Sequence, residues 1–199
     1  MARLTLNKSS LTQESRHLKA FQEFLPSLDL KRQQLMAEHS KARKLLADIR
    51  KQQEDLKPVI AKELPMLSDE QVDLTDIVKV TGVDLAEENI VGTRLPKLEQ
   101  VHFKIRDYAL LGKPHWVDHL VKQLQSALEL QIHVQVAARR LALLDVAVRI
   151  ISQRVNLFEK VLIPRTRANI KKIKIYLSDT ERAAVVQAKI AKAKKKAAA

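Results

Sequence analysis

A heptad-type apolar repeat in the first quarter of the sequence is the feature that most constrains how this chain can fold. Alternating steps of three and four residues from Leu11 to Leu56 reach fourteen positions, and ten of them are apolar. The residues between them are mainly polar, and a spacing of about 3.5 residues is typical of a helix in a coiled coil. The interfacial positions predicted for this helix are Leu18, Phe21, Leu25, Leu28, Leu35, Leu46 and Ile49.

A second stripe with the same spacing lies in the last third of the sequence. Its predicted interfacial positions are Leu144, Val148, Ile151, Val155, Phe158 and Leu162. After Pro164 the stripe resumes at Ile170, Ile173 and Leu177, but the steps from 162 to 166 and from 166 to 170 are both four residues. This slip predicts a stutter, which locally unwinds a left-handed supercoil.

Four prolines suggest where the helices begin, bend and end. Pro26 is expected to kink or break the first helix, and Pro58 to end it, because the residue before a proline avoids the α region. Pro114 suits the first turn of the second helix. We expect Pro164 to face the start of the first helix, so that the residues beyond it project as a single basic helix.

The middle of the chain has a different pattern. Residues 77–83 and 100–105 are β-branched or alternate between apolar and polar, which indicates short strands. The predicted fold is mainly α, a long antiparallel two-helix coiled coil with a small β-hairpin in the middle, because neither helix can bury its stripe alone. We assign residues 1–57 to the first coiled-coil helix, 58–113 to the middle segment with the hairpin, and 114–199 to the second helix with its basic tail.

Composition and charge exclude several classes of function. The 199 residues include no cysteine, which excludes disulfides, thiol catalysis and cysteine-ligated zinc. The net charge of +13 is uneven, since residues 1–57 hold 12 basic and 7 acidic side chains, 58–113 hold 7 and 10, and 114–199 hold 17 and 6. No signal peptide is predicted, and no apolar run reaches the roughly 18 residues that span a bilayer.

Sequence motifs of catalysis are absent, so no catalytic, cofactor or metal residues are predicted. The chain has no GxxxxGK[ST] loop, no dinucleotide-binding fingerprint, no HExxH and no GxSxG. His115 and His119 have the i, i+4 spacing of two metal ligands, but no third ligand is evident and solvated histidines are the favoured interpretation. The lysine-rich end of the chain is interpreted equally well as a nucleic-acid contact and as a solvated terminus.

One segment carries a family resemblance. Residues 154–191, RVNLFEKVLIPRTRANIKKIKIYLSDTERAAVVQAKIA, resemble the D-subunit family of the rotary V/A-type ATPases in its bacterial form. Three further segments agree with it: LNKSSLTQESRHLKAFQEFLPSLDLKRQQL, ENIVGTRLPKLEQVHF and YALLGKPHWVDHL. The most specific part of the resemblance surrounds Ile163, Pro164 and Arg165.

The resemblance implies a non-catalytic rotor shaft at the cytoplasmic face of the cell membrane. Its implied partners are the catalytic and regulatory subunits of the ATPase hexamer, the small F subunit of the central stalk and a socket subunit on the membrane ring. Neither nucleic acid nor direct membrane insertion is implied. The candidate residues facing the hexamer are Lys31, Arg32, Arg165, Arg167, Lys171, Lys172 and Lys174.

An alternative function remains open from the residues alone. A free-standing basic coiled coil that binds nucleic acid or a scaffold is compatible with the sequence pI of about 10.0. That alternative predicts a basic patch interleaved with aromatic side chains, and aromatic residues are only 4% of the chain.

Overall fold

Two long helices flank a β-hairpin, which confirms the predicted fold class. A computed structural model describes residues 5–68, 77–106, 114 and 116–197. The chain forms two compact units, one of Gln33–Arg149 and one of Met1–Arg32 together with Ile150–Ala199. In chain order the elements are α1 (Lys8–Glu63), a 3₁₀ turn (Pro65–Ser68), β1 (Val78–Ile90), β2 (Thr93–Ile105), α2 (Trp116–Asn156), a π-helical segment (Leu157–Leu162) and α3 (Ile163–Ala197).

Helix α1 is continuous through both of its prolines, so the predicted end at Pro58 is wrong, and of the kink or break predicted at Pro26 the break does not occur. A proline inside a helix removes one backbone hydrogen bond and costs about 3 kcal/mol. On either side of Pro26 the apolar face is retained, since Leu25 and Leu28 are both half-buried. The Ser27 hydroxyl also donates to the Phe24 carbonyl oxygen over 2.8 Å. Tertiary packing therefore outweighs the local preference of the proline.

Within the Gln33–Arg149 unit, α1 and α2 run antiparallel. His119 Nε2 lies 2.9 Å from the Glu63 carboxylate near the end of α1. Further back along α1, His39 Nε2 lies 2.7 Å from the Asp145 carboxylate. Residue numbers fall along α1 as they rise along α2, which is the antiparallel arrangement expected from the two stripes.

The hairpin packs its base against the first turns of α2. Four buried apolar residues form this small core: Ile77, Val78, Val117 and Val121. The half-buried side chains of Phe103, Trp116, Leu124 and Leu128 surround them. Nearer the turn, Arg140 of α2 lies 2.7 Å from the Glu88 carboxylate of β1. The hairpin is therefore attached to α2 at two levels.

Both strands have 13 residues and are longer than the predicted segments 77–83 and 100–105. They pair antiparallel from Val78 with Ile105 to Ile90 with Thr93, with two irregularities in register. Residues 85–89, LAEEN, lack a strand pattern, so periodicity missed them. They are held in the sheet because a two-residue turn brings β2 directly alongside.

That turn contains an unfavourable backbone conformation. Val91 has φ of 54° and Gly92 has φ of 87°, and positive φ at both central residues is the requirement of a type I′ turn. Glycine meets this requirement without strain, whereas a β-branched residue at positive φ is an outlier. The Gly92 N–H donates to the Asn89 side-chain oxygen over 3.0 Å, which helps to hold the turn.

We predict that Val91→Asn stabilises the hairpin by about 1 kcal/mol, because asparagine tolerates the left-handed region that valine avoids. Segment-resolved hydrogen exchange should show slower exchange across β1 and β2. Gly92→Ala is the matched control, and it should speed exchange, because alanine is strained at that φ. Faster exchange in Val91→Asn would contradict this account of the turn.

Candidate functional site

The predicted interfacial residues of α1 lie on its inner face. Leu35 and Leu46 are buried, with exposed fractions of 4% and 6%. The other five, Leu18, Phe21, Leu25, Leu28 and Ile49, are half-buried. Along α1 the neighbours of these positions are largely exposed, which is the pattern of a helix that packs along one stripe.

The second stripe has the same character. Leu144, Ile151 and Val155 are buried, with Leu144 fully so, and Val148, Phe158 and Leu162 are half-buried. In the unit that contains both chain ends, the Phe21 and Phe158 rings meet edge to face with centroids 5.5 Å apart. Such aromatic pairs contribute about 0.5–1.5 kcal/mol beyond their burial. We name the two stripes together the seam.

Three polar positions of the α1 repeat, Glu14, His39 and Gln53, also have partners on the opposite helix. Gln53 Nε2 donates to the Gln131 side-chain oxygen, and His39 contacts Asp145. In the unit of the chain ends, Asn169 Nδ2 approaches Glu14 Oε1 to 3.5 Å. Polar side chains at interfacial positions specify the register of coiled coils at some cost in stability. Three of the four polar interruptions in the repeat are therefore paired across the two helices.

The helix beyond Pro164 packs against the start of α1, so the prediction that it projects alone from that proline is wrong. Thr166 and Ile173 are buried, with exposed fractions of 5% and 0%. Further along, an exposed ion pair of 3.8 Å joins Lys8 of α1 to Glu181 of α3. Pairing therefore continues about five helical turns past Pro164, because α1 begins at Lys8.

From Glu181 to Lys196 every side chain is exposed. The terminal segment, residues 182–196, carries three large apolar side chains, Val185, Val186 and Ile190, each exposed by more than half. Sequence reasoning did not single these out. A sequence signal for them is the starting point of α1, because a residue on α3 that lies past Lys8 has no residue of α1 beside it.

The candidate basic residues lie mostly on the outer surface. Lys31, Arg165, Arg167, Lys171, Lys172 and Lys174 are exposed, and Arg32 is half-buried beside the Asp29 carboxylate. The five candidate residues on α3 are all exposed, whereas Ile163, Thr166 and Ile173 of the same helix are buried. The seam and a positively charged surface thus lie on different faces of α3. We name the surface formed by these five basic side chains the basic face.

The described residues include neither a group of metal ligands nor a helix that could span a membrane. No group of three or more histidine, aspartate or glutamate side chains is placed to hold a metal ion among residues 5–68, 77–106, 114 and 116–197. His119 contacts Glu63, which also accepts a hydrogen bond of 3.1 Å from Gln123, while His115 lies outside the described residues. None of the described helices is both long and apolar enough to cross a membrane.

Comparison with known proteins identifies relatives along nearly the whole chain. The profile of the ATP synthase D-subunit family matches residues 10–193. The D subunit of the V-type ATP synthase of Borreliella burgdorferi is 36% identical over 192 residues, which cover 96% of this chain and 95% of the relative. The V-type ATP synthase D subunits of Chlamydia trachomatis serovar L2 and Chlamydia pneumoniae are 35% and 34% identical, over 97% and 95% of this chain and 96% and 91% of the relatives.

Adjacent leucines of α1 allow a sharp test of the seam. Leu46 is 6% exposed and Leu45 is 52% exposed. We expect Leu46→Asp to lower the free energy of unfolding by about 3 kcal/mol or more, because it buries a charge without a partner. The matched control Leu45→Asp should change it by no more than about 0.5 kcal/mol. Chemical denaturation followed by circular dichroism measures both, and equal effects of the two variants would disprove the assigned inner face.

Proposed function

This chain belongs to the ATP synthase D-subunit family, and from that premise we propose that it is the central shaft of a rotary ATPase. In this role it transmits torque between the ring of subunits that hydrolyses or makes ATP and the membrane ring that carries ions. It binds no nucleotide and catalyses no reaction itself. The observation that carries the proposal is the family match over residues 10–193.

The seam supports the mechanical part of the proposal. Torque passes along a helix pair only if the two helices resist sliding and unwinding. In each unit the paired helices bury apolar side chains such as Leu144 and Val155, and close-packed interiors transmit strain rather than yield to it. The paired polar residues His39 and Asp145 add a preference for one register.

The outer surface supports the rotary part. A shaft must pass changing neighbours without adhering to any of them. Arginine and lysine are the commonest exposed side chains on α3, and exposed ion pairs contribute only about 0–1 kcal/mol each. Charge on this surface attracts acidic partners over several ångströms without creating one deep energy minimum. The basic face therefore suits a sliding contact.

We assign partners to the shaft on the same premise. The catalytic and regulatory subunits of the hexamer surround the basic face and the terminal segment 182–196. The small F subunit of the central stalk and the socket subunit bind elsewhere on the chain. The complex is attached at the cytoplasmic face of the cell membrane, and this subunit reaches the membrane only through its partners.

Isolation of the chain with its partners tests the proposed assembly. An affinity-tagged chain, expressed in its own cell and purified from detergent-solubilised membranes, should bring down nucleotide-binding subunits of an ATPase, and ATP hydrolysis should accompany them. The purified chain alone should hydrolyse no ATP, since it has no phosphate-binding loop. Recovery of nucleic acid in place of ATPase subunits, after nuclease-free purification, would favour the alternative of a basic nucleic-acid-binding coiled coil.

Charge reversal on the basic face tests the proposed contact. We expect Arg165→Glu combined with Lys172→Glu to leave the isolated chain folded, because both side chains are exposed and surface substitutions change stability by about 0.5 kcal/mol or less. ATP-driven ion transport by the reconstituted complex should fall, most strongly at low salt, where charge interactions are least screened.

The matched control is Lys51→Glu, which reverses an exposed lysine outside the candidate set. It should leave transport near the level of the unaltered complex. Circular dichroism of each variant separates a folding defect from a contact defect. Unchanged transport in the double variant would remove the basic face from the proposed interface with the hexamer.

A further inference from the structure

The π-helical segment Leu157–Leu162 interrupts an otherwise α-helical course between α2 and α3. The Ile163 N–H donates to the carbonyl oxygen of Phe158, five residues earlier, instead of four. Such a turn is wider than an α-helical one and is seen mostly as a single bulge inside a helix. It lies entirely within the unit formed by the two chain ends.

The π-helical turn accommodates one residue more than a regular α-helix would. From Phe158 to Ile170 the seam positions are separated by three steps of four residues, or 12 residues in three turns. An α-helix needs about 11 residues for three turns. The sequence therefore contains one residue more than a regular helix accommodates while its apolar positions stay on one face.

Burial beyond the segment follows the inserted residue. An uninterrupted continuation of the repeat from Leu162 would place Arg165, Asn169, Lys172 and Tyr176 in the seam. Arg165, Lys172 and Tyr176 are exposed, whereas Asn169 is half-buried, as is Ile170 beside it. The residues buried there are Thr166 and Ile173, one position later in each case. Leu177, one position after Tyr176, is half-buried. The seam is thus shifted by one residue at three of the four positions, and at the fourth Asn169 and Ile170 are buried to the same degree.

We infer that the segment Leu157–Leu162 contains a one-residue insertion, accommodated as a π-helical turn, that sets the angular position of α3 against α1. The insertion directs the apolar residues of α3 into the seam and the basic face outward. Without the wide turn, Arg165 and Lys172 would enter the seam, where a charge without a partner is strongly unfavourable. This inference concerns the conformation of the chain alone and does not depend on its proposed function.

The extra residue requires a wide turn, and Pro164 determines where along the helix that turn forms. Proline has no N–H to donate and its ring clashes with the carbonyl group four residues earlier, here that of Lys160. Widening the turn immediately before Pro164 relieves that clash at the place where the extra residue must be accommodated. The Thr166 hydroxyl, which donates to the Leu162 carbonyl oxygen over 2.8 Å, supports the following turn.

A test uses the absence of cysteine from the chain. Lys172→Cys and Ile173→Cys are made singly, and each thiol is labelled with a water-soluble maleimide in the full-length folded chain. In the otherwise unaltered chain the thiol at 172 should react at least about tenfold faster than the thiol at 173, because only the latter requires local opening. Circular dichroism verifies that each variant is helical.

Three further variants distinguish the effect of the extra residue from the effect of Pro164. Deletion of Glu159 removes the extra residue, so the labelling difference between 172 and 173 should persist. Pro164→Ala keeps the insertion, so the difference should persist there also. One alanine inserted after Lys160 adds a second extra residue, and protection at 173 should be lost or transferred to 172.

Deletion of Lys171 is the matched control, because it removes a residue from a regular α-helical turn. Ile170 and Ile173 then no longer fit one seam, and the thiol at 173 should lose its protection. The inference is overturned if deletion of Glu159 exposes the thiol at 173 or unfolds the chain. It is equally overturned if the alanine insertion or the deletion of Lys171 leaves the labelling pattern unchanged.

Discussion

Mutual burial of two apolar stripes is the interaction on which the rest of the structure depends. Isolated helices are marginal in water, and most of their stability in proteins comes from packing an apolar face. In each of the two units, stripe residues such as Leu46 and Leu144, or Val155 and Ile173, are withdrawn from water. The outward charges, the attachment of the hairpin and the limits of pairing all follow from where that burial occurs.

Continuous burial along the seam explains why the chain retains several features that are locally unfavourable. Pro26 and Pro58 are retained inside α1, polar residues occupy interfacial positions, and a wide turn interrupts the second helix. Each has a local cost, and each is compatible with continuous burial on either side. The polar pairs Glu14 with Asn169 and His39 with Asp145 favour one alignment of the helices, whereas apolar contacts alone would tolerate several.

The helices have an apolar inner face and a charged outer face, and this difference suits the proposed role as a shaft. Apolar side chains hold the helices to each other, while arginine and lysine on α3 remain available to partners. The terminal segment 182–196 differs from both, because its apolar Val185, Val186 and Ile190 are exposed by more than half. It has no counterpart on α1 to pack against, and the proposed assembly with the hexamer would provide one.

Periodicity by itself determined the fold class, both stripes and the existence of the hairpin, because a seven-residue repeat and a two-residue alternation each record which face is buried. It also predicted the slip near Pro164. Only the tertiary structure decided that α1 continues through Pro26 and Pro58, that the slip becomes a π-helical turn, and that pairing persists to Glu181. A proline costs about 3 kcal/mol, and each fully buried leucine, isoleucine or valine stabilises by about 1.5–3 kcal/mol. A few such residues on the far side of a proline therefore reverse the local preference, and their burial depends on a partner helix more than a hundred residues away in the chain.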